Sequence, residues 1–230
     1  MHYPFAIVTD SFRDATLIIV GHGSTKNSQS AASVYQHAAE LRRRGIFHSV
    51  MEAFWKQEPF IKPTLEKTTT SRVFIVPLFI SEGYFTQQAI PSELGLLAQD
   101  QTSFAPVLTK AIPGQTSSQT IYYTAPVGTH PSMTNALIAR ARDIIRAYPF
   151  PRAPKLKDTA LFIAGHGTEQ NENSRKSIDH QVERIRATGE FGEVHPLFIE
   201  EEPKIPQCYQ MTSLNNLVVV PFFISEGMHT

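Results

Sequence analysis

Slid by 144 positions, the chain lands on itself: residues 16–86 and 160–230 align without a gap, and 25 of the 71 pairs are identical. The identities include Gly21-His22-Gly23 with Gly165-His166-Gly167, Asn27 with Asn171, Gly45 with Gly189, Phe54 with Phe198, Glu58 with Glu202 and Pro59 with Pro203. Two Pro-x-Phe-Ile-Ser-Glu-Gly stretches, 77–83 and 221–227, also coincide. Chance similarity between apolar strands does not extend so far, so the chain reads as two copies of one unit.

Within the first copy, strand and helix patterns alternate. A strand near 16–20 leads to a helix near 28–44, whose apolar or small face runs through Ala31, Val34, Ala38 and Leu41 until Gly45. A strand near 47–54, a helix from Pro59 and a strand at 73–80 follow. A helix near 90–99, a strand near 119–124 and a helix near 132–147 close the unit. Strict alternation predicts an α/β fold with a parallel sheet and helices on both faces. Residues 1–147 then form a first lobe and 159–230 a second. Between them the proline-rich stretch 148–158 reads as an exposed linker. The second copy repeats only the opening elements, with strands at 160–164, 193–199 and 217–224. Its missing layer points to a fragment of a longer chain, or to a layer supplied from elsewhere; a bare sheet face favours the fragment.

Composition narrows the function. Of 230 residues, 41% are hydrophobic, as in an ordinary globular core, and 21 Lys+Arg balance 21 Asp+Glu. No basic field marks a nucleic-acid binder. The single Cys208 excludes an internal disulfide and a cysteine-built metal cluster, which fits a reducing compartment. Neither a basic leader with an apolar core nor a long apolar span is visible, so a cytoplasmic protein away from membranes is expected.

The chemistry gathers at strand ends. LFIAGHGT (161–168) is a short apolar run followed by a glycine-flanked histidine, and open α/β sheets bind ligands beyond the C-terminal ends of their strands. His166, Glu200 and His229 follow the three strands of the second copy. Two imidazoles and a carboxylate suit Co, Ni, Fe or Zn better than Mg or Ca. Subtracting 144 gives His22, Lys56 and Phe85. A cation at Lys56 would repel a metal ion, so the first copy reads as disabled. Several residues have plainer readings. Glu200 belongs to the run Glu200-Glu201-Glu202, and charge runs are usually solvated. Glu58 and Glu202 precede prolines expected to start helices, which suits a helix N-terminus. Glu82 and Glu226, shared by both copies, suit structure or a cleft wall. His130 precedes a helix start. Arg42, Arg43 and Arg44 suit a helix C-terminus.

LIIVGHGS, LFIAGHGT, PLFIEEEP, VVVPFFISEGMH and TAPVGTHP together resemble the class II chelatases of the sirohydrochlorin cobaltochelatase and ferrochelatase family, over most of both copies. The resemblance implies two flavodoxin-like α/β lobes facing a cleft for a modified tetrapyrrole. It also implies insertion of Co²⁺, Fe²⁺ or Ni²⁺ as a substrate, without a permanently bound cofactor. The family's two histidines and carboxylate match His166, His229 and Glu200, as metal ligands and as catalytic groups. Ser24, Asn27, Thr168, Asn171 and His22 are candidates for contact with the tetrapyrrole and its carboxylates. Lys56 and Phe85 depart from the pattern, as does the absence of the segment that follows the second histidine in the family. Two rivals stand beside this reading. A histidine phosphatase would need an arginine before its histidine to hold phosphate, where this chain has Gly21 and Gly165. A chelatase-derived carrier would bind a tetrapyrrole or metal without turnover.

Overall fold

A computed structural model describes residues 11–25, 29–97, 105–112, 117–149, 152–168 and 172–224. Two sheets carry the repeat. In the first, strands β1 (Ala15–Gly21), β2 (Ser49–Phe54), β3 (Arg72–Pro77), β4 (Val107–Ala111) and β5 (Ser118–Tyr123) lie in the order β2-β1-β3-β5-β4. In the second, β6 (Thr159–Gly165), β7 (Glu193–Phe198) and β8 (Asn216–Pro221) lie in the order β7-β6-β8. The central strands β1 and β6 are buried along all seven residues. Such strands, covered on both faces, read as continuous apolar runs rather than alternating ones.

The registers repeat as well as the residues. Gly21 pairs with Phe54 as Gly165 pairs with Phe198, and all of these pairings are parallel. Helix α1 (Gln29–Arg44) crosses β1, and helix α5 (Glu172–Thr188) crosses β6. Each crossing requires glycine at the strand end: a Cβ on Gly21 would sit 2.6 Å from Val34 Cγ2, and one on Gly165 would sit 2.5 Å from Ile178 Cδ1.

Three expectations change. Strand β4 runs antiparallel to β5, so the first sheet is not wholly parallel. The helix expected near 90–99 is a π-helical turn, Phe85–Ala89, continued by α3 (Ile90–Leu94). After β2, helix α2 (Ile61–Glu66) starts two residues beyond Pro59, with Phe60 at its N-cap; the matching Pro203 precedes a 3₁₀ helix at Ile205–Gln210. Glu58 and Glu202 are thus not at helix starts; each instead precedes a cis proline.

Packing also redistributes the chain. Two compact units form, Met1–Pro77 with Ile90–Thr124, and Leu78–Ala89 with Ala125–Thr230. This differs from the linear division at 148–158. Helix α4 (Ser132–Ala147), which the strand–helix alternation assigns to the first copy, packs on β8 and α5 of the second unit. Its Leu137, Ile138, Ala141 and Ile145 join Leu161, Ile163, Ile178, Val182 and Val220 in one core. Gln181, 1% exposed, joins the helices: it accepts from the Thr134 hydroxyl at 2.7 Å and donates to the Gly128 carbonyl at 3.3 Å. One face of the second sheet is therefore covered by α5 and α4 together. On the other face, Ala160, Phe162, Ala164 and Leu197 pack with Cys208 of the 3₁₀ helix. No helix among the described residues is long and apolar enough to cross a membrane.

If α4 covers this sheet, Ile138→Ala removes a side chain only 5% exposed and costs about 2–5 kcal/mol in urea unfolding. A change within about 0.5 kcal/mol, as at a surface position, would contradict that packing.

Candidate active site at the end of the second sheet

Strand β6 ends at Gly165, and the chain turns sharply through His166 and Gly167, whose φ of +66° suits glycine. Two hydrogen bonds lock the turn to the next strand's exit. The His166 carbonyl accepts from the Ile199 amide at 3.0 Å and the Glu200 amide at 3.0 Å. The loop after β7 is closed again at its far side, where Phe198 N–H donates to the Pro203 carbonyl at 2.9 Å. Backbone bonds alone thus bring His166 and Glu200 together.

The side chains follow. His166 Nδ1 lies 3.7 Å from Glu200 Oε2 and 2.8 Å from the Gly167 carbonyl, with both side chains about half exposed. A carbonyl only accepts, so Nδ1 is the donor of that bond, and a neutral ring in this tautomer keeps its lone pair on Nε2. An imidazole held in that tautomer, with a carboxylate beside it, can bind a divalent ion or take a proton. His229, the third expected member, lies outside the described residues, as do Asn27, Asn171 and Glu226. Among the described residues no group of three His, Cys, Asp or Glu is placed to hold a metal. Thr168 lines a cavity of about 450 Å³ with Ser174 and the 79–86 segment.

The acidic run after β7 divides. Glu200 is exposed, whereas the Glu201 side chain is only 16% exposed, correcting the view of a uniformly solvated face. Its Oε2 is 3.3 Å from Arg175 Nη1, while Oε1 is buried without a hydrogen-bond partner among the described residues. Arg175 also donates to the Glu202 carbonyl at 2.8 Å, lies 3.5 Å from Asp179 and stands 4.7 Å over the Phe198 ring. It buckles α5 to the loop that carries Glu200. Sequence reasoning passed over this group, although the repeat holds its signal: Ala31, Tyr35 and Gln57 become Arg175, Asp179 and Glu201. Three charges appear together in one copy only.

The first copy keeps the frame and changes the chemistry. His22 Nδ1 lies 2.8 Å from the Gly23 carbonyl, and the His22 carbonyl accepts from Lys56 N–H at 2.9 Å. The position of Glu200 is therefore held by a cation. Ser24 N–H donates to Gln57 Oε1 at 2.8 Å, which fixes Ser24 in the turn. His130 makes a local contact with Ser132 Oγ at 2.7 Å, as expected of a residue at a helix start.

Solved chelatases and chelatase-like proteins share this α/β fold. A Deinococcus radiodurans multi-domain protein with structural similarity to chelatases superposes with a TM-score of 0.75 and 28% identity, over 94% of this chain but only 45% of that one. SirB from Bacillus subtilis with Fe³⁺ superposes with a TM-score of 0.70 and 17% identity, over 94% of this chain and 79% of that one. A probable sirohydrochlorin cobaltochelatase of Halobacterium salinarum is 41% identical over 218 residues, 93% of this chain and 73% of that protein. The CbiX family model matches residues 16–144 and 160–230. The chain belongs to the CbiX family.

Burial sets a pH effect in the buckle. It raises the Asp179 carboxyl above its ordinary value, the attraction of Arg175 offsets this in part, and Glu201 raises it further. A carboxyl raised in the folded state costs nothing while protonated in both states, and costs stability as pH rises through its folded pKa. Asp179→Asn is therefore expected to raise the urea midpoint at pH 7, with the gain vanishing below about pH 3. A gain independent of pH would contradict this origin.

Proposed function

We propose that this protein inserts a divalent metal ion, Co²⁺ or Fe²⁺, into sirohydrochlorin or a related tetrapyrrole, as a chelatase of cobalamin or siroheme biosynthesis. The observation that carries the reading is the Glu200 carboxylate 3.7 Å from the His166 ring, at the end of the second sheet only. Family membership and the chelatase fold support it, and so does the name of the Halobacterium relative.

The reaction exchanges two pyrrole protons for one metal ion, and the ion must trade its water shell for four ring nitrogens. His166 offers Nε2 to the ion, since neutral imidazole suits these metals. Glu200 adds negative charge 3.7 Å from the ring, which favours a cation bound there. Once the ion passes to the macrocycle, the same imidazole can receive a pyrrole proton as general base. His229 is assigned the role of second ligand and base. Thr168 and Ser174 offer hydroxyls to the substrate's carboxylate arms, and Ser24, Asn27, Asn171 and His22 remain candidates for such contacts. The ion is a substrate that leaves with the product, so no resident cofactor is required.

Cobalt insertion followed by the absorbance of sirohydrochlorin tests the assignment. His166→Ala is expected to lose about 10²–10⁴-fold in rate, the usual share of a positioned proton-transfer group. Glu200→Gln is expected to lose about 10–100-fold, as for partners of metal-binding histidines. His22→Ala should lose far less than His166→Ala; equal losses would overturn the placement of the reaction in the second copy. Binding of sirohydrochlorin by the wild type without faster metallation would identify a carrier instead.

A further inference from the structure

The repeat changes character at one further place. Phe79-Ile80-Ser81-Glu82-Gly83 and Thr86 are identical to residues 223–227 and Thr230, yet between them Tyr84-Phe85 stands where the second copy has Met228-His229. A repeated frame thus carries two aromatic rings where the second copy has Met228 and the expected ligand His229. In the structure this segment belongs to the second unit, the unit of His166.

The segment is held firmly. Gly128 N–H donates to the Phe79 carbonyl at 2.9 Å, and the backbones approach so closely that a Cβ on Gly128 would lie 2.2 Å from the Ile80 oxygen. Gly83 N–H donates to the buried Thr86 hydroxyl at 3.0 Å, and Gln87 ties back to Glu82 at 3.1 Å. A π-helical turn begins at Phe85, a geometry found frequently at functional sites. On this support the Phe79 and Phe85 rings stack at 6.2 Å with a 24° tilt, and Tyr84 meets Phe85 edge-on at 5.4 Å. Tyr84 is 60% exposed. The three rings line the 450 Å³ cavity, which Thr168, two residues beyond His166, also lines.

Resting on the chelatase reading above, we propose that the near-parallel Phe79 and Phe85 rings form the platform on which one face of the tetrapyrrole ring stacks beside His166, with Tyr84 flanking it at 71° to Phe85. A flat conjugated ring gains most from offset contact with aromatic faces, which add affinity beyond the area buried. The cavity lies within the range of small-molecule sites and receives part of the macrocycle. Thr168 and Ser174 stand at the same cavity to meet a polar substituent. The first copy's third ligand position, having lost its histidine, serves the second copy's centre as a ring-binding surface.

The test uses metal-free sirohydrochlorin, whose fluorescence reports binding, together with the KM for sirohydrochlorin and for Co²⁺. Tyr84→Leu and the double substitution Tyr84→Leu/Phe85→Leu keep apolar bulk and remove the rings; the exposed Tyr84 guards against loss of folding. The double variant is expected to weaken sirohydrochlorin binding about tenfold and to raise its KM in step, with little change in the KM for Co²⁺. Tyr84→Leu alone should weaken binding about threefold, and Tyr84→Phe should restore it. Unchanged sirohydrochlorin binding in Tyr84→Leu and in the double variant, while the wild type binds and metallates, would overturn the platform and leave the chelatase reading standing. A wild type that neither binds nor metallates sirohydrochlorin would overturn both.

Discussion

The carbonyl oxygen of His166 accepts from two successive amides, Ile199 and Glu200, and the candidate centre depends on that junction. It joins the exit of β6 to the exit of β7, so the imidazole and the carboxylate meet without a side-chain bond between them. Glycine is needed on both sides. Gly165 admits α5 against the strand, and Gly167 takes the left-handed turn beside Glu201. Ligand sites form at the C-terminal ends of parallel strands because neighbouring loops converge there, and this junction is the local form of that rule. The Arg175 buckle then fixes α5 to the loop from its other side.

In the first copy the His22 carbonyl likewise accepts from Lys56 N–H, while Trp55 N–H donates to the Gly21 carbonyl, so the two backbone frames are closely alike. What differs is the side chains set on them. Lys56 occupies the place of Glu200, Gln57 that of Glu201, and Tyr84-Phe85 that of Met228-His229. Duplication left one frame carrying acidic and imidazole groups, and a second carrying a cation and aromatic rings. The exchange extends to packing, since α4 follows the first copy in the chain yet completes a face of the second sheet.

Much of this was legible in the residues, for identifiable reasons. Apolar runs fix the central strands β1 and β6, and a constant offset carries one register onto the other. The approach of His166 to Glu200 followed from adjacent strand ends. Other features were hidden. The apolar face of α4, through Leu137, Ile138, Ala141 and Ile145, identifies a core-facing helix without naming the sheet it meets. Strand β4 escaped notice because its residues are exposed or half-exposed and leave no buried run. In the sequence Glu201 reads only as part of a charge run and Arg175 not at all, because their pairing depends on α5 lying beside the loop after β7. His229 lies outside the described residues.

Counting the metal ions bound in the absence of tetrapyrrole tests the central claim most directly. Equilibrium titration of the protein with Co²⁺, read from its visible absorption with nitrogen coordination checked by X-ray absorption, should give one site per chain. That site should be lost in His166→Ala and kept in His22→Ala. Two equal sites per chain, or a single site lost in His22→Ala and kept in His166→Ala, would contradict a working centre confined to the second copy.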